Sequence, residues 1–172
     1  RWGPAGGERR LCARGANELK RVAGEHGRET IDAYMRHVMD YAEEAVRRLI
    51  DRLKDGCFNY EIDNKGMVSV AIRVDRAART AVVDFAGTSD QQPTNFNAPF
   101  SICRAATLYA FRTLVADSIP LNDGCMRPIT LAVPAGSMLN PAWPAAVVAG
   151  NVETSQVITD CLFAAMGAIA PS

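Results

Sequence analysis

Near Gly56 the hydrophobic period of this chain changes from about 3.6 residues to 2, and that change restricts the fold more than any other feature. Across residues 29–54, Ile31, Tyr34, Met35, Val38, Ala42, Ala45, Leu49 and Leu53 form one apolar stripe at helical spacing. The opposite face carries Asp40, Glu43, Glu44, Arg47, Arg48 and Asp51, with Glu43–Arg47 and Glu44–Arg48 in the favoured i,i+4 order. Gly56 is a natural stop. Beyond it Phe58, Tyr60 and Ile62 alternate with polar residues, then Val68, Val70, Ile72 and Val74 do the same, and "TAVVDF" (80–85) follows. Turn chemistry at "DNKG" (63–66) and "DRAAR" (75–79) separates the three runs, so an antiparallel meander is expected.

Around this switch the other elements are helices and loops. Leu11, Ala16, Leu19, Val22 and Ala23 predict a helix from Glu8 to Glu25, closed by Gly24 and Gly27. A helix is expected over residues 100–116, apolar on more than one face and therefore buried on most sides. "ITLAV" (129–133) and "AAVVAG" (145–150) read as strands, and a last helix as running from Glu153 to Ala170. The fold class is α+β: an antiparallel meander with packed helices, part of a larger mixed α/β subunit. Residues 1–56 form a helical segment and 57–172 a mixed α/β segment, both belonging to one larger domain.

Charge is distributed unevenly, and this bears on what surrounds the chain. Residues 1–80 hold 16 Lys and Arg and 13 Asp and Glu, whereas residues 81–172 hold 3 and 6. A solvated surface is ~25–35% charged, so the second half is expected inside a larger body or against a partner. The formal net charge of zero gives no footprint for nucleic acid. No apolar run approaches the ~20 residues of a membrane span. The five cysteines are scattered and contain no CxxC, which fits a reducing, cytoplasmic setting better than a disulfide framework or a structural zinc site. A first residue other than Met suggests a piece of a longer protein, and "RWGPAGGERR" lacks the apolar core of a signal peptide.

Three polar loops, residues 84–97, 120–127 and 150–156, gather uncharged hydrogen-bonding groups between apolar elements. Turns and caps account for such residues one loop at a time. Buried amides and hydroxyls cost about 1–3 kcal/mol each when unpaired, so the three together are expected to pair with one another or with a ligand. In "GNVETSQVITD" (150–160) a strand ending at Gly150 would point free N–H groups of the next helix at one spot, where an anion or carbonyl oxygen is favoured. Thr154 or Ser155 capping the helix is the plainer account. His26 and His37 belong to no HxxxH pattern, and neither a GxSxG elbow nor a phosphate-binding P-loop is present. Cys103 and Cys125 lie near the polar loops, but inert buried thiols are the more common outcome. Taken alone, these residues assemble no complete catalytic set.

"VDFAGTSDQQPTNFN" (83–97), "IPLNDGCMRPITLAVPAGSMLNP" (119–141) and "PAAVVAGNVETSQVITD" (144–160) nevertheless resemble, in order and spacing, the B-type subunit of the ATP-dependent hydantoinase/5-oxoprolinase family. That family also includes acetone and acetophenone carboxylase subunits. The "ERRL" helix, the long amphipathic helix and the "DGCFNYE" strand extend the similarity over most of the chain. The resemblance implies an ATP-dependent cyclic amide hydrolase in which an A-type subunit binds ATP and phosphorylates a carbonyl. The B-type subunit then takes part in opening a lactam or imide ring with water. It also allows carboxylation of a ketone, or a segment that only shapes a subunit interface. Family members are much larger, with a His- and Asp-rich metal-binding region upstream. An internal segment of a hetero-oligomer is therefore implied, inactive alone, with ATP held by the partner and any divalent-metal ligands outside this chain. Within it, the resemblance and the loop chemistry together make Asp84 and Glu153 the candidate catalytic carboxylates, either one a general base if burial raises its pKa. Thr88, Ser89, Asn122, Asn151 and Thr154 are the candidate substrate-binding residues.

Overall fold

The computed structural model of the chain describes residues 6–63 and 65–168. The chain divides into two compact units, Arg1–Asp40 and Tyr41–Ser172. In the first unit, helix α1 (Gly6–His26) is followed at Gly27, whose φ of 84° is a left-handed conformation that suits glycine, by the start of α2 (Arg28–Ile50). Arg21 pairs with Glu18 at 2.9 Å and Glu25 at 2.6 Å on the exposed face of α1. Both helices form where the 3.6-residue period predicts them.

The second unit holds the C-terminal part of α2 and the rest of the fold. Ala42, Ala45, Val46 and Ile50 of α2 are buried in its core. Strands β1 (Gly56–Glu61), β2 (Met67–Asp75) and β3 (Thr80–Asp84) pair antiparallel, as the alternation requires. Helix α3 (Phe100–Leu114) then leads to β4 (Ile129–Ala132), which joins the sheet parallel to β3 with Ala81 opposite Ile129. The sheet order is β1-β2-β3-β4. It is mostly antiparallel, and the α+β class holds.

Register assigns the two faces. Val68, Val70 and Ile72 of β2 and Ala81 and Val83 of β3 are buried toward the core, which also holds Phe85, Phe111, Ile119, Met138, Leu139, Ile158 and Leu162. On the other face Arg73 and Asp84 lie diagonally across the β2–β3 pair and meet at 2.8 Å. Helix α4 (Thr154–Ala165) packs on β1, β2 and α3. A Cβ on Gly56 would run into the Ala165 carbonyl oxygen, so the entry to β1 and the end of α4 are in close backbone contact. An ion network fixes the β2–β3 turn to α2: Arg79 reaches Glu44 at 3.1 Å and Asp51 at 3.0 Å, and Arg47 donates to the Ala78 and Arg79 carbonyls.

Three elements differ from the sequence expectation. Residues 145–150 form no strand: the segment ends in a 3₁₀ turn, Val148–Asn151, which leads into α4. Helix α4 stops at Ala165 because Gly167, with φ 67°, donates to the Ala164 carbonyl while Ala168 donates to that of Phe163, a glycine C-cap. The expected continuation to Ala170 lies partly outside the described residues. Helix α3 buries one face, through Cys103, Ala106, Thr107, Ala110 and Phe111, while Phe100 and Tyr109 are exposed. Trp143, Val148 and Val152 are also exposed, so this charge-poor region does present apolar surface. Among the described residues no helix is long and apolar enough to cross a membrane.

Candidate functional site

Gly150 explains why the residues before α4 bend instead of extending. A Cβ there would strike the Asn97 carbonyl oxygen and lie 2.8 Å from Ala98 Cα, so the two backbones touch without an intervening side chain. The Ala149 amide donates to the Asn95 carbonyl at 3.0 Å, and the Thr154 hydroxyl to the Phe96 carbonyl at 2.6 Å. Asn97, fully buried, completes the junction. Its amide donates to the carbonyls of Gln92, Thr94 and Ala146, and its oxygen accepts from the Gln92 amide at 2.8 Å. Two of the three polar loops, 84–97 and 150–156, are thereby joined. The remaining one is anchored elsewhere, through Arg104–Asp123 at 2.6 Å to α3 and Arg127–Glu43 at 3.1 Å to α2.

The 3₁₀ turn also changes what the N-terminus of α4 can offer. The amides of Gly150, Val152 and Glu153 donate to Val147, Ala149 and Ala149 carbonyls respectively. They are therefore not free to converge on an anion. Neither Thr154 nor Ser155 caps the helix: Thr154 reaches across to Phe96, and the Ser155 hydroxyl donates back to Asn151 at 3.0 Å.

Most candidate residues are occupied by the fold. The Thr88 hydroxyl accepts from the Ser69 amide at 3.1 Å and donates to the Ser69 carbonyl at 3.2 Å, and the Ser89 hydroxyl accepts from the Met67 amide at 2.8 Å. Both side chains extend the hydrogen bonding of β2. Asn122 accepts from the Gly124 amide at 2.8 Å, capping the 3₁₀ turn Asp123–Met126. Asp84 accepts from Arg73 and from the Ala86 amide at 2.9 Å, and these two bonds, Arg73 first, hold its carboxyl below the usual carboxylate range. That is the opposite of the upward shift a general base at neutral pH requires. Among the described residues, no buried side-chain nitrogen or oxygen lacks a hydrogen-bond partner.

Two cavities adjoin α4. A wide groove of about 410 Å³ between α3 and α4 is lined by Ile102, Ala106, Tyr109, Asn151, Ser155 and Asp160, among others. A smaller, more enclosed cavity of about 150 Å³ lies where β1, loop 84–97 and α4 meet, and Glu153 and Thr154 line it together with Tyr60, Asp63, Phe96 and Val157. Glu153 is exposed, and no ion pair engages it among the described residues. Sequence reasoning passed over Tyr60, Asp63 and Phe96. Tyr60 shares its strand parity with Phe58, Asp63 sits in a turn, and Phe96 is an aromatic residue inside a polar loop; only the last was a usable signal.

The cysteines take no part in this site. Burial pushes Cys103 and Cys161 each up to about 12, so both remain protonated thiols at neutral pH. Cys125 is buried as well. Among the described residues, no three His, Cys, Asp or Glu side chains gather in a way that could hold a metal ion. The described residues do not fit a metal centre.

Residues 8–172 match the hydantoinase B/oxoprolinase family. The chain belongs to that family. Its hydantoinase B relatives include 5-oxoprolinase of Dictyostelium discoideum, 36% identical over 168 residues, a match that covers 92% of this chain and 13% of that protein. 5-Oxoprolinase 1 of Arabidopsis thaliana is 37% identical over 175 residues, covering 92% of this chain and 14% of its own length. The chain thus spans about one seventh of these relatives. The crystal structure of the ATP-dependent caprolactamase from Pseudomonas jessenii shares the fold, with a TM-score of 0.71 at 21% identity over 93% of this chain and 29% of that one. In this hydantoinase B segment the junction of loops 84–97 and 150–156 falls within two of the motifs that carry the family resemblance.

Proposed function

We propose that this chain is a segment of an ATP-dependent cyclic amide hydrolase of the hydantoinase/5-oxoprolinase type, acting in the cytoplasm with an A-type ATP-binding partner to open a lactam or imide ring. The observation that carries the reading is the Glu153 cavity, in a chain whose relatives are named 5-oxoprolinases. ATP, held by the partner, supplies an activated carbonyl. The groups of this chain do the rest. Tyr60, Phe96 and Val157 offer apolar surface to the methylenes of a ring. Glu153 is the carboxylate free to accept a proton from attacking water, whereas Asp84 is committed to Arg73. Thr154 holds the Phe96 carbonyl in place and so fixes the wall of the cavity. Asn151 lines the neighbouring groove and belongs to the approach rather than to the cavity.

The test uses the complete assembly. Glu153→Gln keeps the shape and removes the base, so ATP-dependent lactam opening falls about 10²-fold or more while assembly persists. Unchanged turnover in Glu153→Gln would make the cavity scaffold. ATP turnover that requires a ketone and bicarbonate would replace the hydrolase reading with a carboxylase.

A further inference from the structure

We infer that Asn97 is a positioning residue for lactam opening: its buried amide holds Phe96 and Glu153, which come from two distant segments, in one cavity. The inference rests on the hydrolase reading of Glu153 and adds a residue that does not itself line the cavity.

The Asn97 side chain is fully buried and both of its polar atoms are engaged. Its oxygen accepts from the Gln92 amide at 2.8 Å. The two hydrogens of its nitrogen serve three carbonyls, those of Gln92 and Thr94 at 2.9 Å and that of Ala146 at 3.0 Å. The bonds to Gln92 and Thr94 close residues 92–97 on themselves. The bond to Ala146 crosses to a segment 49 positions away. A primary amide supplies acceptor and donors at once. A carboxylate of the same shape offers no N–H, and an aliphatic side chain of that size offers neither.

Both sides of this clamp lead to the cavity. On one side Phe96, next to Asn97, lines it with its ring. On the other side Ala146 precedes the 3₁₀ turn Val148–Asn151, and the Glu153 amide donates to the Ala149 carbonyl of that turn at 2.9 Å. Glu153 is thus held from the turn before it and, through Thr154, from the residue after it. The two bonds that tie 149–154 to the opposite loop, Ala149 to Asn95 and Thr154 to Phe96, both end on carbonyls of the stretch that Asn97 closes. Backbone contact at Gly150 leaves no slack between the segments. Every one of these bonds is made within the chain itself. Without the amide, residues 92–97 lose their internal closure, and the acceptors that locate Glu153 move with them. A misplacement of ~1 Å at a reacting group costs up to about 10²-fold in rate.

The test is a double-mutant cycle in the complete assembly with ATP and 5-oxoproline, with kcat expressed per folded assembly. Asn97→Ser retains a single hydroxyl donor and is expected to lower kcat about tenfold. In the Glu153→Gln background the same substitution should cost less than about twofold, because residues that act through one group are not additive. Thr107→Ala removes another fully buried hydroxyl, one that donates to the Cys103 carbonyl within α3, and is the control for stability. It should lower the melting temperature and leave kcat unchanged. If Asn97→Ser does not assemble, Asn97→Asp, which keeps the volume and the acceptor for Gln92, is carried through the same cycle. A full loss in both backgrounds, an unchanged kcat in the Asn97 variant, or an equal loss in Thr107→Ala overturns the inference and leaves the Glu153 reading standing. Unchanged turnover in Glu153→Gln alone overturns both.

Discussion

The Thr154 hydroxyl donates to the Phe96 carbonyl at 2.6 Å, a bond that spans 58 positions of the chain and closes one wall of the Glu153 cavity. Thr154 is 1% exposed, so its hydroxyl has no water to fall back on, while Phe96 is half-buried. Thr154→Val keeps the shape and leaves the carbonyl unpaired, at a cost of about 1–3 kcal/mol. Thr154→Ser keeps the bond and loses only a methyl group, about 1 kcal/mol or less. Urea unfolding of both variants checks the order; equal losses would mean that the methyl group, and not the bond, matters here.

Gly150 is required for its lack of a side chain rather than for an unusual φ. The Cβ of Gly150→Ala would meet the backbone at Asn97 and Ala98, which cannot swing away as a flexible side-chain tip can. Overpacking of this kind costs about 1–3 kcal/mol. Gly136→Ala is a useful contrast. Its Cβ meets nothing within 4 Å, yet φ of 78° strains any side chain, so its cost is conformational. Thermal melts should show loss in both, while amide exchange of residues 95–98 should rise in Gly150→Ala alone.

The Arg73–Asp84 pair should shape the acid limb of stability. Asp84 has its folded pKa depressed, by the Arg73 hydrogen bond first and the Ala86 amide second. Its contribution is therefore present above the pKa of the unfolded chain, about 3.9, and disappears as pH falls through the lower folded value. Arg73→Met removes the larger cause. The Asp84 carboxyl should then titrate closer to 3.9 by NMR, and stability should fall less between pH 5 and pH 2 than in wild type. An unchanged Asp84 titration would show that Ala86 alone holds the shift.

Helices α1 and α2 and strands β1 to β3 were legible because their periods are local. Ile31, Val38 and Ala45 mark a helix wherever they are placed, and Val68, Val70 and Ile72 mark a strand with one buried face. The end of α4 was missed: Gly167 is a stop signal, but the apolar run around it carried the expected helix on to Ala170. Residues 145–150 were misread as well. Their apolar run suits a strand, but Ala149 and Gly150 meet Asn95, Asn97 and Ala98, and that contact sets the 3₁₀ turn.

The candidate site divides along the same line. The order of residues showed polar, uncharged groups in three loops, and those loops together with the family resemblance drew attention to Glu153 and Thr154. Which loops meet was decided by tertiary structure: 84–97 joins 150–156, while 120–127 attaches to α2 and α3. Asp84, Thr88, Ser89 and Asn122 look in sequence like ligand-binding groups, and in three dimensions each has a partner within the chain. Asp63 and Tyr60 became neighbours of Glu153 only when β1 came to lie under α4. The physical reason is range. Periodicity and turn chemistry are fixed by neighbours a few residues away, so the sequence specifies them directly. Which polar group satisfies which depends on contacts between distant segments, and those exist only once the core has closed.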